Sequence, residues 1–276
     1  MEALPLIAIT SAFERTKAEI LIGYLNESDL PALPVNIRVQ LIKLENTKEL
    51  GLDNSSGSYS DFSEDDFYRI VQLKWQLLQR VLELDFDFVI YSDTDIYWNI
   101  DPIDELSSVF NLRAEVSVQI QSFTDLLSHP KLCMGFVAFR NSEVTNEFLA
   151  ECKQRHLSHS MSSGRIGDDD IVTQYYLENN FPQFIQELPQ TTFPVGRMLN
   201  LYNVKSKYPG LPSPEPFIFH ANYVVGLRNK IILMKIFIRY HSKYDQSLPL
   251  GVNHFAALQV QRLRFWFHQI RINLFK

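Results

Sequence analysis

Two carboxylates one residue apart, Asp93 and Asp95, closely follow the apolar run FVIY. The run has the composition of a buried central strand, and a carboxylate buried at its end costs several kcal/mol unless something compensates the charge. A divalent cation is the simplest compensation, because Mg²⁺ and Mn²⁺ take oxygen ligands and bridge phosphate groups. The pattern therefore predicts a metal site at the end of a strand.

A second candidate residue, Lys74, lies on the apolar face of a predicted helix. We expect this helix to begin after Ser63, whose hydroxyl suits an N-cap and which precedes acidic residues that favour a first turn. A lysine on a core-facing stripe either extends to solvent or meets an anionic partner. Two interpretations stay open: a structural ion pair, or a partner that is a ligand phosphate or hydroxyl or an active-site carboxylate. At 100° per residue, the apolar face consists of Phe67, Ile70, Val71, Leu77, Leu78, Val81 and Leu82.

The elements that position these residues alternate along the chain between strand-like and helix-like patterns. This alternation predicts an α/β fold with a mixed, largely parallel sheet flanked by helices. The polar segments 54–66 and 158–170 are predicted loops, and the proline-rich YPGLPSPEP is predicted to lack regular structure. The predicted strands are LPLIAIT, NIRVQLIKL, DFVIYSD, EVSVQIQ, CMGFVAFR and FIFHANY.

Several short motifs follow one another in a specific order. Lys74 is followed by YSDTDIYWNIDP, MGFVAFR, GDDDIVTQYY, TTFPVG and FHANYVVGLRNK. From about Leu6 to Lys235 this order resembles the nucleotide-diphospho-sugar transferases of the GT-A fold that are related to the plant cell-wall xylosyltransferases. The residues that match the two most specific family motifs are Asp93, Asp95, Trp98, Asp101 and Pro102, and then His220, Asn222, Gly226 and Lys230.

The resemblance implies a reaction and a donor site. The reaction is transfer of a sugar from a nucleotide-diphosphate sugar, with a UDP-sugar as the expected donor, to an acceptor hydroxyl with retention of configuration. Asp93, Asp95 and His220 would hold Mn²⁺ or Mg²⁺, and Asp93 would thereby also contact the donor. Lys230 would neutralise charge on the leaving diphosphate, which Gly226 would let the backbone approach.

Further residues are assigned with less specific support. Thr10 and Ser11, at the end of the predicted first strand, are expected to contact the nucleoside, although such residues are also common in turns. Lys74 is expected to reach toward the nucleotide or the Asp-x-Asp pair. Asp168 and Asp169 are the candidate catalytic residues beside the sugar, with helix capping as the alternative role.

This chain departs from the family pattern at two of its motifs. Cys133, Met134 and Gly135 stand where the family usually has Asn-Thr-Gly. Three consecutive aspartates, Asp168 to Asp170, stand where it usually has Asp-Gln. These departures put in doubt the sugar contacts that the Asn and the Gln would make.

Composition limits the partners and the location. A formal net charge of -6 gives no reason to expect nucleic acid as a partner. The start of the chain lacks the basic flank of a signal peptide, and two cysteines do not form a disulfide framework, so we expect a cytoplasmic protein. The expected partners are a nucleotide-diphosphate sugar as donor and a glycan, lipid-linked or protein acceptor.

The end of the chain is basic, with nine lysines and arginines against one acidic residue from Gly226 to Lys276. We predict a catalytic domain at 1–240 and a basic amphipathic helical extension at 241–276. The extension is predicted to pack on the catalytic domain, to dock on an anionic membrane as a peripheral contact, or to bind a protein.

Two functions remain alternatives to transfer. One is a phosphohydrolase of the haloacid-dehalogenase type with Asp93 as nucleophile, which Tyr97 and the late His-Asn-Gly-Lys motif disfavour. The other is a catalytically inactive protein that binds sugar nucleotides, which the two departures from the family pattern favour.

Overall fold

The structure is a computed structural model that describes residues 3–24, 39–44, 65–84, 86–111, 113–123, 130–162, 166–196, 215–222 and 226–241. Six helices and eight strands lie within these ranges. The helices are α1 (Ala3–Arg15), α2 (Asp65–Leu82), α3 (Ile103–Asn111), α4 (Glu143–Ser162), α5 (Asp168–Glu178) and α6 (Leu227–His241). The strands are β1 (Ile20–Tyr24), β2 (Val39–Lys43), β3 (Phe88–Ser92), β4 (Ile96–Trp98), β5 (Val116–Phe123), β6 (Pro130–Arg140), β7 (Ile185–Leu188) and β8 (Ile218–His220).

The described strands pair in both directions. A four-stranded sheet has the order β3-β6-β5-β7, in which β7 runs parallel to β5 while β6 is antiparallel to both of its neighbours. The described strands also form two separate pairs, the parallel pair β1-β2 and the antiparallel pair β4-β8. The predicted α/β class with a mixed sheet flanked by helices is confirmed.

Strand β6 divides the core into two layers. Successive side chains of a strand point to opposite faces, so Val137 and Phe139 pack with Trp75 of α2 and with α4 and α5, whereas Phe136 and Ala138 pack on the other face with Trp98 and α3. A third cluster joins Phe219 of β8 to α6, where its ring stacks on Phe237 with centroids 4.3 Å apart. Helices therefore cover both faces of the sheet.

The predicted first strand, LPLIAIT, is wrong, because these residues belong to helix α1. A short apolar run does not distinguish a buried strand from a buried helix, but this one continues through 13 helical residues. Pro5 lies in the first turn, where a missing backbone N–H costs no hydrogen bond. The first described strand is instead β1, which the sequence patterns did not indicate.

The predicted loop at 158–170 is also wrong in its first part, since α4 continues to Ser162. The strands predicted from NIRVQLIKL, DFVIYSD, EVSVQIQ, CMGFVAFR and FIFHANY are confirmed as β2, β3, β5, β6 and β8. Ser63, most of the loop at 54–66 and of YPGLPSPEP, and all of 242–276 lie outside the described residues. Among the described helices, none combines the length and the apolar composition that crossing a membrane requires.

Candidate active site

The Asp-x-Asp pair lies in the tight turn between β3 and β4. The backbone N–H of Asp93 donates to the carbonyl of Gly135 at 2.8 Å, and the N–H of Ile96 donates to the carbonyl of Asp93 at 3.2 Å. The first bond ties the turn to β6 and the second closes the turn itself. The carboxylates therefore follow a strand end, as the sequence predicts.

Strand β8 places His220 opposite this turn, because Ile96 and His220 are paired residues in the β4-β8 ladder. Nε2 of His220 lies 3.2 Å from Oδ1 of Asp95 and 4.0 Å from Oδ2 of Asp93. One ligand atom from each of the three residues lies within 4.8 Å of the others. Two carboxylate oxygens and an imidazole nitrogen form a donor set that fits Mn²⁺, and three electron-pair donors this close together are stabilised by a cation.

In Asp93 and Asp95, the carboxylate oxygen that does not face His220 contacts other side chains. Oδ1 of Asp93 accepts a hydrogen bond from the Tyr91 hydroxyl at 2.6 Å and lies 3.5 Å from Nζ of Lys74. Oδ2 of Asp95 accepts from Nζ of Lys230 at 2.8 Å. These contacts leave the remaining oxygens facing His220.

The ionisation of Asp95 is favoured despite its burial. Burial alone would raise the pKa of this carboxyl, but His220 and Lys230 outweigh it and hold the pKa well below its ordinary value. Asp95 is therefore an anion at neutral pH and can bind a cation without first losing a proton.

Lys74 connects the Asp-x-Asp pair to the aspartates of α5. Its Nζ contacts the carboxylate of Asp168, donates to the carbonyl of Met134 at 3.2 Å and lies 4.5 Å from the centroid of the Tyr91 ring. Burial lowers the pKa of Lys74, but the charges of Asp168 and Asp93 raise it well above the ordinary value. The anionic partners of Lys74 are therefore two of the predicted site carboxylates, Asp168 and Asp93, and a catalytic role for these contacts stays a prediction.

A bulge in β6 supplies backbone groups to the same site. Val118 and Gln119 of β5 pair with Val137 and Cys133, so residues 134–136 of β6 have no paired residue on β5. The backbone groups of Met134 in this bulge bond to side chains instead, since its N–H donates to Oδ1 of Asp169 at 2.6 Å and its carbonyl accepts from Nζ of Lys74 at 3.2 Å. Burial and the charge of Asp168 raise the pKa of Asp169 to about 7. Because the bulge acts through its backbone, these contacts do not need the Asn and Thr of the family pattern.

Gly135 in this bulge makes room for the imidazole of His220. A Cβ at this position would lie 2.1 Å from Cε1 of His220 and 2.8 Å from each ring nitrogen. We expect Gly135→Ala to displace the ring and to weaken Mn²⁺ binding about 10- to 100-fold, measured by the electron paramagnetic resonance signal of free Mn²⁺. Gly167→Ala is the matched control, because its Cβ would lie 3.7 Å from Oδ2 of Asp170 in ordinary contact. Equal affinities of the two variants would contradict this role of Gly135.

The remaining predicted site residues fall into two groups. Gly226 has a φ of +92°, in the left-handed region that favours glycine, directly before α6, and Lys230 lies in the first turn of that helix. Thr10 and Ser11 lie within α1, so the strand end that motivated their predicted role does not exist. The Ser11 hydroxyl is buried, donates to the Ala8 carbonyl at 2.8 Å and accepts from the Trp98 N–H at 3.0 Å. A nucleoside contact by Thr10 and Ser11 stays a prediction.

Two groups of this site were not indicated by the sequence patterns. Tyr91 lies within the apolar run that predicts β3, and only its position two residues before Asp93 signals that its hydroxyl can reach the carboxylate. Gln119 lies in the predicted strand EVSVQIQ, and its carboxamide oxygen is 2.9 Å from Nδ1 of His220. The sequence feature that points to Gln119 is a polar residue in a strand that lies at the centre of the sheet and is buried over residues 116–120.

Comparison with known proteins identifies the class to which this fold and site belong. A family model described as nucleotide-diphospho-sugar transferase matches residues 36–234. Because this match spans well over half of the chain, the chain belongs to the nucleotide-diphospho-sugar transferase family. Among curated proteins, no sequence matches this chain.

Two solved structures have the same fold. The apo form of mouse xyloside xylosyltransferase 1 matches with a TM-score of 0.51 and 13% sequence identity, over 80% of this chain and 92% of that chain. The galactosyltransferase LgtC, solved with donor and acceptor sugar analogues, matches with a TM-score of 0.50 and 11% identity, over 80% of this chain and 83% of that chain. The predicted GT-A glycosyltransferase fold is confirmed, which favours a transferase over a phosphohydrolase of the haloacid-dehalogenase type.

Proposed function

We propose that this protein transfers a sugar from a nucleotide-diphosphate sugar to an acceptor hydroxyl in a reaction that depends on a divalent cation and retains the anomeric configuration. The observation that carries the proposal is the convergence of Asp93, Asp95 and His220 on one point, with Lys230 bound to Asp95. Membership of the family supplies the substrate class, a nucleotide-diphosphate sugar. A UDP-sugar is the proposed donor on the resemblance alone.

In this proposal Asp93, Asp95 and His220 hold Mn²⁺ or Mg²⁺. When bound, the cation supplies positive charge to the diphosphate of the donor. Nζ of Lys230 binds Oδ2 of Asp95, the oxygen that does not face His220, and adds a second positive charge that would stabilise the leaving diphosphate. The positive φ of Gly226 lets the backbone at the start of α6 approach a phosphate without a side chain in the way.

The proposed catalytic residues are Asp168 and Asp169 at the start of α5. Asp168 forms a buried ion pair with Lys74, and its proposed role is to accept hydrogen bonds from sugar hydroxyls and to stabilise positive charge that develops at the sugar. Burial and the charge of Asp168 raise the pKa of Asp169, which favours the protonated form of this carboxyl, and that form can donate a hydrogen bond. A protonated carboxyl both donates and accepts, as an amide does, which suits a position where the family usually has Gln.

A thermal-shift panel tests the proposed donor. The purified protein is melted with and without Mn²⁺ in the presence of UDP, GDP, ADP and CDP. A ligand at 100 times its dissociation constant stabilises the folded state by about 2.7 kcal/mol, so we expect a raised melting temperature with UDP and Mn²⁺ together. Stabilisation by another nucleoside diphosphate would reassign the base, and no shift with any of the four would contradict the proposal.

A catalytically inactive protein that binds sugar nucleotides is the second candidate. The observation that favours it is the engagement of both proposed catalytic carboxylates, Asp168 by Lys74 and Asp169 by the Met134 N–H. Such a protein would give the same thermal shift but would release no nucleoside diphosphate from a donor over hours with an acceptor mixture. Release assays therefore separate the two candidates.

A further inference from the structure

We propose that Gln119 is a positioning residue that fixes the tautomer of His220 so that its Nε2 lone pair faces the carboxylates of Asp93 and Asp95. The inference rests on the proposed function in one respect, which is that binding of a metal ion is the role given to this lone pair. The orientation of the imidazole itself is a property of the metal-free protein.

The carboxamide of Gln119 can adopt only one orientation among its described neighbours. Its Nε2 group donates to the carbonyls of Phe193 and Pro194, each at 3.0 Å. Carbonyl oxygens accept hydrogen bonds and cannot donate them, so the NH₂ group must face them. Oε1 is therefore the atom that lies 2.9 Å from Nδ1 of His220.

This orientation decides which ring nitrogen carries the proton. An amide oxygen only accepts, so the 2.9 Å contact requires a proton on Nδ1 of His220. The Sγ of Cys133 also lies 3.6 Å from Nδ1, but burial and the charge of Asp169 raise the pKa of this thiol well above its ordinary value. A neutral thiol is a weak acceptor, so Gln119 dominates at Nδ1.

Without Gln119 the preference would reverse. Oδ1 of Asp95, 3.2 Å from Nε2, is an anionic acceptor and stabilises a proton on that nitrogen. A proton there occupies the lone pair that a metal ion needs. Gln119 thus opposes an inactive tautomer that the carboxylates themselves favour.

The same contacts give a role to the TTFPVG motif. The Pro194 carbonyl that accepts from Gln119 also accepts from the backbone N–H of His220 at 3.2 Å, and Val195 forms a bridge with His220. Gln119 is fully buried beside a register shift in β5, so it cannot turn to solvent. One backbone segment therefore positions both the histidine and the residue that orients its ring.

Two substitutions of Gln119 differ in whether the new side chain can accept a hydrogen bond from Nδ1 of His220. Gln119→Met removes the acceptor for Nδ1, whereas Gln119→Glu keeps an acceptor. Both lose the amide donor to the Phe193 and Pro194 carbonyls, so both are destabilised, and the position of the proton on His220 reports on the acceptor. The ¹⁵N chemical shifts of His220 are measured without metal at alkaline pH, with assignment by the loss of signals in His220→Gln.

We expect the single proton on Nδ1 in the wild type and in Gln119→Glu, and on Nε2 in Gln119→Met. Mn²⁺ affinity should fall about 10- to 100-fold in Gln119→Met relative to Gln119→Glu. Gln121→Met is the matched control on the same strand, since Gln121 lies outside the His220 contacts and should leave tautomer and affinity unchanged. A folded Gln119→Met variant with the proton still on Nδ1 would overturn the inference.

The ¹⁵N chemical shifts of His220 test this inference, whereas Mn²⁺ binding by the wild type tests the metal dependence in the proposed function. If the wild type has the Nδ1–H tautomer and Gln119→Met does not, the inference holds even where Mn²⁺ fails to bind the wild type. Failure of the wild type to bind Mn²⁺ would contradict the metal dependence alone.

Discussion

Replacing Asp95 by Asn is expected to reduce Mn²⁺ affinity at least about 100-fold, or about 2.7 kcal/mol, and to reduce kcat/KM for sugar transfer about 1,000-fold. Asp95 is 5% exposed, and its oxygens face Nε2 of His220 and Nζ of Lys230. The amide of Asn has nearly the same shape but no charge, so the change removes an anionic ligand and leaves the shape intact. Lys230 also loses the carboxylate that positions it.

Mn²⁺ titration by electron paramagnetic resonance measures the first effect, and release of nucleoside diphosphate measures the second. Asp104→Asn is the matched control, because this exposed residue in the first turn of α3 lies outside the site. Its affinity and rate should equal those of the wild type. An Asp95→Asn variant with wild-type Mn²⁺ affinity would exclude Asp95 as a ligand.

Replacing Lys74 by Met is expected to lower the free energy of unfolding by about 3–5 kcal/mol. The side chains of Lys74 and Asp168 are each 9% exposed, so loss of the lysine leaves a buried carboxylate without its cation. The pKa of Lys74 is raised above its ordinary value of 10.5, so its charge is more favourable in the folded protein than in the unfolded chain. That stability is fully present below pH 10.5 and is lost as the pH rises through the folded pKa.

Urea unfolding at pH 7.5 therefore measures the whole effect. Lys131→Met is the matched control, because Lys131 forms an ion pair with the neighbouring Asp170 in which the side chains are 33% and 44% exposed. An ion pair this open to solvent contributes about 0–1 kcal/mol. Equal losses of stability in the two variants would show that the Lys74 pair is no more important than a surface pair.

Local patterns in the sequence were sufficient to predict the part of the site made by side chains close in sequence. The apolar run before Asp93 and Asp95 predicts a strand that ends in two carboxylates, and the 3.6-residue period of α2 places Lys74 on the buried face. The position of His220 could not be predicted in this way. Only the order of the motifs, and no local sequence pattern, connects it with the turn of Asp93 and Asp95, more than a hundred residues earlier in the chain. The pairing of Ile96 with His220 supplies the physical reason for that connection.

The contacts that the sequence did not predict depend on tertiary structure. Helix α1 packs against β4 and α6, which the sequence does not show. Its apolar run is too short to have a period that separates a helix from a strand. The alternation in β5 is typical of a strand with one face in solvent, yet Ser117 and Gln119 are both fully buried because β5 is a central strand of a covered sheet. Backbone bonds from the bulge at Met134 and Gly135 depend on register, which side-chain patterns do not encode there.

The central claim is that this chain is a metal-dependent nucleotide-sugar transferase. Release of nucleoside diphosphate from a panel of UDP- and GDP-sugars, with Mn²⁺ or with EDTA, tests it most directly. The account predicts release from at least one UDP-sugar in Mn²⁺, and loss of this release in EDTA and in Asp95→Asn. Release that persists unchanged in EDTA and in Asp95→Asn, or no release from any donor, would contradict it.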